Sequence, residues 1–194
     1  MLKLFFTPPT KNNIKTTLTI RSGAQTGVDR GTLDAALSLG VPICGWIPKG
    51  RLAREPIPES YNAYLKEMTA HDFPLLANTN DEKEIYNFRT EQNAKEGDGT
   101  LIIIMNEIEF THGTAYTKEM AEKHNRPTFI LNLSTANEID SVSNWILENN
   151  IKELNVGGPS ETKSPGIYKA TFDLIARVLQ HPKLTPEVLH LYFK

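Results

Sequence analysis

Apolar positions follow two rhythms along this chain, a strand-like one of alternating or unbroken apolar residues and a helical one of period near 3.6. Their succession predicts strands and helices taking turns. Thr16-Thr17-Leu18-Thr19-Ile20 alternates polar and apolar with β-branched residues, as a strand does, and Leu33, Ala36, Leu37 and Leu39 then recur at helical spacing until Gly40. Val41-Pro42-Ile43-Cys44-Gly45-Trp46 is a short apolar run bounded by turn formers, a second strand or its edge. From Pro48 to Pro58, three prolines and a glycine prevent sustained regular structure. Residues 84–96 read as a helix with Ile85, Phe88 and Gln92 on related faces. Gly97-Asp98-Gly99-Thr100 then turns into Leu101-Ile102-Ile103-Ile104-Met105, an unbroken apolar run expected of a strand buried on both faces of a parallel sheet. Thr111-His112-Gly113-Thr114 opens a helix to about Lys123, and Thr128–Asn132 is the next strand. Helix 138–148 carries Ile139, Val142, Trp145 and Ile146 at core spacing. Strand 153–156 follows, and a last amphipathic helix bears Ile167, Phe172, Ile175 and Val178.

This alternation predicts an α/β fold, and 194 residues with 39% hydrophobic content suit one domain with a real core. The opening apolar run, Met1 to Phe6, is cut by Thr7-Pro8-Pro9 too soon for a membrane span or secretory core. Residues 1–15 are therefore read as an N-terminal extension, and the protein is expected to be soluble, without a membrane partner. A net charge of −2 supplies no global attraction to nucleic acid, so any anion site must be built locally. Cys44 is the single cysteine, which excludes an intrachain disulfide and a cysteine metal cluster and fits a reducing cytoplasm. The five histidines show no close ligand spacing, so no metal site is expected.

The candidate chemistry begins at Arg21-Ser22-Gly23-Ala24-Gln25-Thr26-Gly27-Val28-Asp29-Arg30, where a strand feeds a helix through two glycines. Such a turn lets backbone approach a ligand, and the free N–H groups of a helix start attract anions. The alternative is a tight turn with Thr26 or Asp29 as helix cap. Neither G-x-G-x-x-G nor a Gly-Lys-Ser/Thr phosphate loop is present. Lys49, Arg51 and Arg54 give the 48–58 loop a basic character that suits either a ligand or solvent. Arg89 and Asn93 stand one helical turn apart, a spacing that fits a phosphate or base edge and equally a salt bridge with a surface amide. Trp46 could stack on a heterocycle, though tryptophan at a strand end more often belongs to the core. Thr111–Thr114 and Gly157-Gly158-Pro159-Ser160 add two more polar or glycine-rich junctions at strand ends, where open α/β sheets bind ligands.

Taken together, Gly23-Ala24-Gln25-Thr26-Gly27-Val28-Asp29-Arg30, Gly45-Trp46-Ile47-Pro48-Lys49-Gly50-Arg51, Arg89-Thr90-Glu91-Gln92-Asn93, Asp98-Gly99-Thr100, Gly113-Thr114-Ala115 and Asn155-Val156-Gly157-Gly158-Pro159 form a recognisable set. The chain resembles the family called "putative molybdenum carrier", regarded as a circularly permuted, YpsA-type branch of the SLOG superfamily. That superfamily also includes the LOG phosphoribohydrolases. The resemblance covers approximately residues 16–180. It implies a Rossmann-like three-layer αβα sandwich with a mostly parallel central sheet. It also implies a site in which Gly23, Ala24, Gln25, Thr26, Gly27 and Arg30 form the main loop, Lys49 and Arg51 approach from the basic loop, and Arg89, Asn93, Gly113, Thr114 and Gly158 complete the pocket. The implied ligand is a phosphorylated small molecule, either a nucleotide or the molybdenum cofactor (molybdopterin), a pterin bearing a dithiolene and a phosphate. Ala24 and His112 stand where this family leads one to expect glycine, and Ser160 where arginine is common. The glutamate of the phosphoribohydrolase pattern is missing from its slot, since Gly113-Thr114 is followed by Ala115, Tyr116 and Thr117.

The expected function is accordingly a carrier or sensor for a phosphorylated nucleotide-like or pterin-like molecule, with no complete catalytic constellation visible. The alternative is a nucleotide-processing hydrolase of phosphoribohydrolase or N-glycosidase type, with Asp29 or Glu91 as its carboxylate. Nucleic-acid binding is disfavoured by the acidic balance and by the lack of a basic stripe interleaved with aromatics. Residues 181–194, with apolar Leu189-His190-Leu191-Tyr192-Phe193, are expected to pack on the domain or on a neighbouring subunit of a homo-oligomer.

Overall fold

Among the described residues, five strands, all parallel, form the central sheet in the order β2-β1-β7-β5-β6. They are β1 (Thr19–Arg21), β2 (Ile43–Cys44), β5 (Gly99–Ile104), β6 (Thr128–Asn132) and β7 (Glu153–Gly157). The structure is a computed structural model and describes residues 16–105, 112–134 and 139–185. The expected N-terminal extension and the apolar stretch of the tail lie outside the described residues.

The last strand among the described residues is the middle strand of the sheet. Counted from β7, the sheet order becomes 3-2-1-4-5, the order of doubly wound nucleotide-binding folds with the chain start moved by one strand and helix. Helices α1 (Val28–Ser38), α4 (Ile139–Glu148) and α5 (Ile167–Leu179) pack together on one face. Helices α2 (Glu82–Glu96) and α3 (His112–Lys123) pair on the other, giving three layers. With both faces covered, every residue of β5 is buried, which is why that segment is apolar without alternation. Ile20, Val28, Leu33, Leu101, Leu154 and Ile175 belong to the main core.

Two local departures from the expected elements have clear causes. The apolar run 41–46 divides at Gly45, whose φ of 139° turns the chain out of the main sheet. A Cβ there would lie 2.2 Å from the Ser22 carbonyl oxygen. Beyond it β3 (Trp46–Ile47) pairs with β4 (Lys66–Glu67) in a separate two-stranded sheet. Helix α1 is preceded by Gly27 as N-cap with no side-chain cap, so neither Thr26 nor Asp29 takes that role. Asp29 lies inside the first turn and turns its carboxylate back to the Gln25 N–H, 3.1 Å away.

The segment between β3 and α2 has its own small core of Met68, Leu76 and Ile85, with Trp46, Phe73 and Phe88 packed against it. The ring centroids of Trp46 and Phe73 are 5.0 Å apart and those of Phe73 and Phe88 5.2 Å apart, both in edge-to-face contact. Asp34 on α1 ties this segment to the rest, accepting hydrogen bonds from Tyr61 and from Tyr168 of α5, each at 2.7 Å. Asp81 starts α2 by accepting from the N–H groups of Lys83 and Glu84.

Candidate functional site

The carboxyl ends of β1 and β7 face a cavity of about 430 Å³. Its walls come from the β1–α1 loop (Gly23, Gln25, Asp29), the end of β7 (Asn155 to Ser160), the start of α3 (Gly113, Thr114, Tyr116, Thr117) and one face of α2. On α2 the lining residues Glu82, Tyr86, Arg89, Thr90 and Asn93 follow helical spacing. Asn87, Ala53, Arg54 and Lys163 complete the lining. The cavity therefore sits where the order of strands reverses around β7, the usual ligand crevice of an open parallel sheet.

Arg89 is its central feature. The guanidinium packs against Gly23, since a Cβ at that glycine would come within 2.1 Å of Nη1, 2.4 Å of Cζ and 2.6 Å of Nε. Its Nη1 reaches Asp29 Oδ2 at 3.4 Å, and its Nε is buried without a hydrogen-bond partner. Asp29 is 5% exposed. Burial pushes its carboxyl above the usual carboxylate value, while Arg89 and the Gln25 N–H pull it back. Thr114, 2% exposed, presents a buried hydroxyl that also has no partner. Buried donors are almost always satisfied in native proteins, and these two unmet ones belong to residues that line one cavity.

Of the expected site residues, Gly23, Gln25, Arg89, Asn93, Gly113, Thr114 and Gly158 line the cavity. Asn93 also braces β3, accepting from the Trp46 N–H at 2.8 Å and donating to the Trp46 carbonyl at 2.9 Å. Gln25 Oε1 accepts from the N–H groups of Thr26 and Arg54, both at 3.0 Å, and so ties the basic loop to the glycine loop. Ala24, Thr26, Gly27, Arg30, Lys49 and Arg51 are not among the lining residues. Ala24 is fully buried with φ of 60°, the left-handed conformation that favours glycine. Gly27 backs onto the Pro159 carbonyl. Arg30 donates to the carbonyls of Ala24 and Glu55, Lys49 to those of Leu76 and Thr79, and Arg51 to that of Ile57.

Sequence reasoning did not single out Tyr86, Thr90, Thr117 and Asn155 as lining residues. A signal was present for the first two, which share the helical face of Arg89 and Asn93. Glu91 is on another side of α2, where Lys123 at 2.7 Å and His124 at 2.9 Å engage it. The Lys123 hydrogen bond is the largest cause holding its carboxyl below the usual value. Trp46 packs in the minor core, and its Nε1 donates to Glu96 at 2.9 Å. Burial pushes the Cys44 thiol up to about 11, away from the thiolate form. Among the described residues no group of three or more His, Cys, Asp or Glu is arranged to hold a metal ion. No helix among them is long and apolar enough to cross a membrane.

Fold and cavity together define a doubly wound, Rossmann-like α/β protein with a crevice at the switch point of its sheet. The family described as "Circularly permutated YpsA SLOG family" matches residues 20–179, and the chain belongs to it. The central position of the C-terminal strand β7 is the structural counterpart of that permutation. A similar solved structure is the crystal structure of a protein named "Putative molybdenum carrier protein" from Syntrophus aciditrophicus SB. It is 36% identical, with a TM-score of 0.70, over 86% of this chain and 97% of that one. No curated protein matches the sequence.

Proposed function

We propose that this protein binds a phosphorylated small molecule, nucleotide-like or pterin-like, as a carrier or sensor. The observation that carries the reading is the pair of unmet buried donors, Arg89 Nε and Thr114 Oγ1, on two residues that line one cavity together with Gly23 and Gly158. Hard N–H and O–H donors of this kind suit a phosphate, and an arginine fork suits it best. The name of the solved relative adds the molybdenum cofactor as a candidate cargo. The donor set fits that cargo through its phosphate, which would fall to Arg89 and Thr114. Its metal would stay on the pterin's own sulfur atoms. The proposal extends to a cytoplasmic location and to self-association.

The test is native mass spectrometry with fragmentation on protein purified from its own cell, followed by titration calorimetry with the molecule found. Arg89→Ala and Thr114→Val should each weaken binding at least about tenfold, because each removes a hydrogen bond to a charged group. Unchanged affinity in both variants would sink the site assignment.

A further inference from the structure

The cavity contains an acid that a simple anion receptor would avoid. Asp29 and Arg89 line it together, and the Asp29 side chain is only 6% exposed. The charged groups around Asp29 can be named element by element. From α2, Arg89 approaches to 3.4 Å, and Glu82 lines the same cavity further along the helix. From the basic loop comes Arg54, and from the β7–α5 connection Lys163, both exposed to water. On α1 itself, Arg30 turns away to the carbonyls of Ala24 and Glu55. In its own loop, Asp29 accepts from the Gln25 N–H at 3.1 Å. Arg89 is thus the cation in contact with Asp29, and it is also a guanidinium on the cavity wall that an entering anion would meet.

From this arrangement we infer that Asp29 makes anion binding proton-coupled, so the site selects an oxyanion able to carry a proton, a phosphate monoester, over a permanently ionised one such as sulfate. The inference rests on the reading that the cavity takes the ligand's anionic group. An anion seated on Arg89 places two negative groups around one guanidinium, and the Arg89 and Asp29 side chains are themselves shielded from water, at 12% and 6% exposed. Two like charges sharing such a site do not both stay ionised, and one proton is held between them. A phosphate monoester brings that proton readily, because its second ionisation falls near neutrality, and its P–OH can donate to the carboxylate. Sulfate brings none, so the proton must come from solvent onto Asp29. The burial that already favours the protonated acid acts in the same direction.

The experiment is titration calorimetry of the full chain with inorganic phosphate and with sodium sulfate, in buffers of different ionisation enthalpy across the neutral range. Sulfate is the cleaner probe of the protein's own proton. Its binding should take up a proton wherever Asp29 of the free protein is ionised, rising toward one per site as pH rises, and over that range its affinity should fall by up to roughly tenfold per pH unit. Phosphate should bind at least about tenfold more tightly than sulfate. Asp29→Asn should abolish the proton uptake with sulfate and remove the preference between the two anions. The wild-type proton count tests the idea even if that variant folds poorly. Equal affinities with no proton uptake by sulfate would overturn the inference while leaving the anion site intact. Failure of both anions to bind, with Arg89→Ala indistinguishable from wild type, would remove the anion site and the inference with it.

Discussion

Gly27 stands where the glycine loop is braced against the β7–α5 connection, and replacing it with alanine separates two physical effects. Its φ of 86° and ψ of −125° form a conformation that side chains rarely adopt, a strain of about 1–3 kcal/mol. A Cβ would also lie 2.5 Å from both the Pro159 carbonyl oxygen and the Glu161 backbone nitrogen, and backbone cannot rotate away. Forcing that contact costs about 1–3 kcal/mol more, offset by roughly 0.5–1 kcal/mol from the stiffer unfolded chain. The net expectation is about 2–5 kcal/mol, or a melting temperature lower by roughly 4–20 °C for a domain of this size. Two other glycines calibrate the claim. Gly166 has φ of 91° but no atom within 4 Å of its would-be Cβ, so Gly166→Ala carries strain alone, about 1 kcal/mol. Gly113 has neither positive φ nor a near neighbour, and Gly113→Ala at the start of α3 should leave stability unchanged or raise it by up to about 1 kcal/mol. Thermal and urea unfolding of the three variants should rank them Gly27, Gly166, Gly113 in decreasing cost. A Gly166→Ala variant as damaged as Gly27→Ala would refute the idea that contact with residues 159–161 holds the loop.

Other predictions concern buried charge. Because burial raises the Asp29 carboxyl in the folded state, the folded protein holds that proton above the pH at which the unfolded chain releases it. This group's contribution to stability is therefore full below the unfolded value and is lost as pH rises through the folded one. Urea unfolding of wild type against Asp29→Asn, from about pH 4 to about pH 8, should show the wild type's relative stability falling as pH rises, and a rise would contradict the assignment. Burial, then the Asp34 hydrogen bond, pushes the Tyr168 phenol up to about 12. Ultraviolet titration should find a late-ionising tyrosine that moves toward the ordinary value in Asp34→Asn. An unmoved titration would mean that Asp34 does not hold Tyr168. Lys49→Met should lower stability by about 1–2 kcal/mol through loss of its bonds to the Leu76 and Thr79 carbonyls, with ligand affinity unchanged. A variant of normal stability that loses ligand would instead put Lys49 in the site.

Much of the architecture was legible in the amino-acid order because its causes are local. The unbroken apolar run 101–105 became the buried strand β5, and helical spacing placed α1, α2 and α5 within a few residues of their observed bounds. The glycines of Gly23–Gly27 and Gly157–Gly158 marked the strand ends where chain and ligand can approach closely. Turn chemistry and periodicity act over a few bonds, so a sequence displays them directly. What each charge does was decided by tertiary structure. Lys49, Arg51 and Arg30 read as candidate ligand contacts, yet each donates to backbone carbonyls of loops that local pattern could not fold. Arg89 and Asn93, equally suited by spacing to surface roles, are drawn inward because α2 lies against β1 and β3, so that Arg89 meets Gly23 and Asp29, the latter 60 residues away. The central place of β7 was likewise a matter of long-range pairing, since its sequence reads as one strand among several and only its neighbours β1 and β5 make it the middle of the sheet. A charged side chain finds its partner through space, and the chain's order does not record that distance.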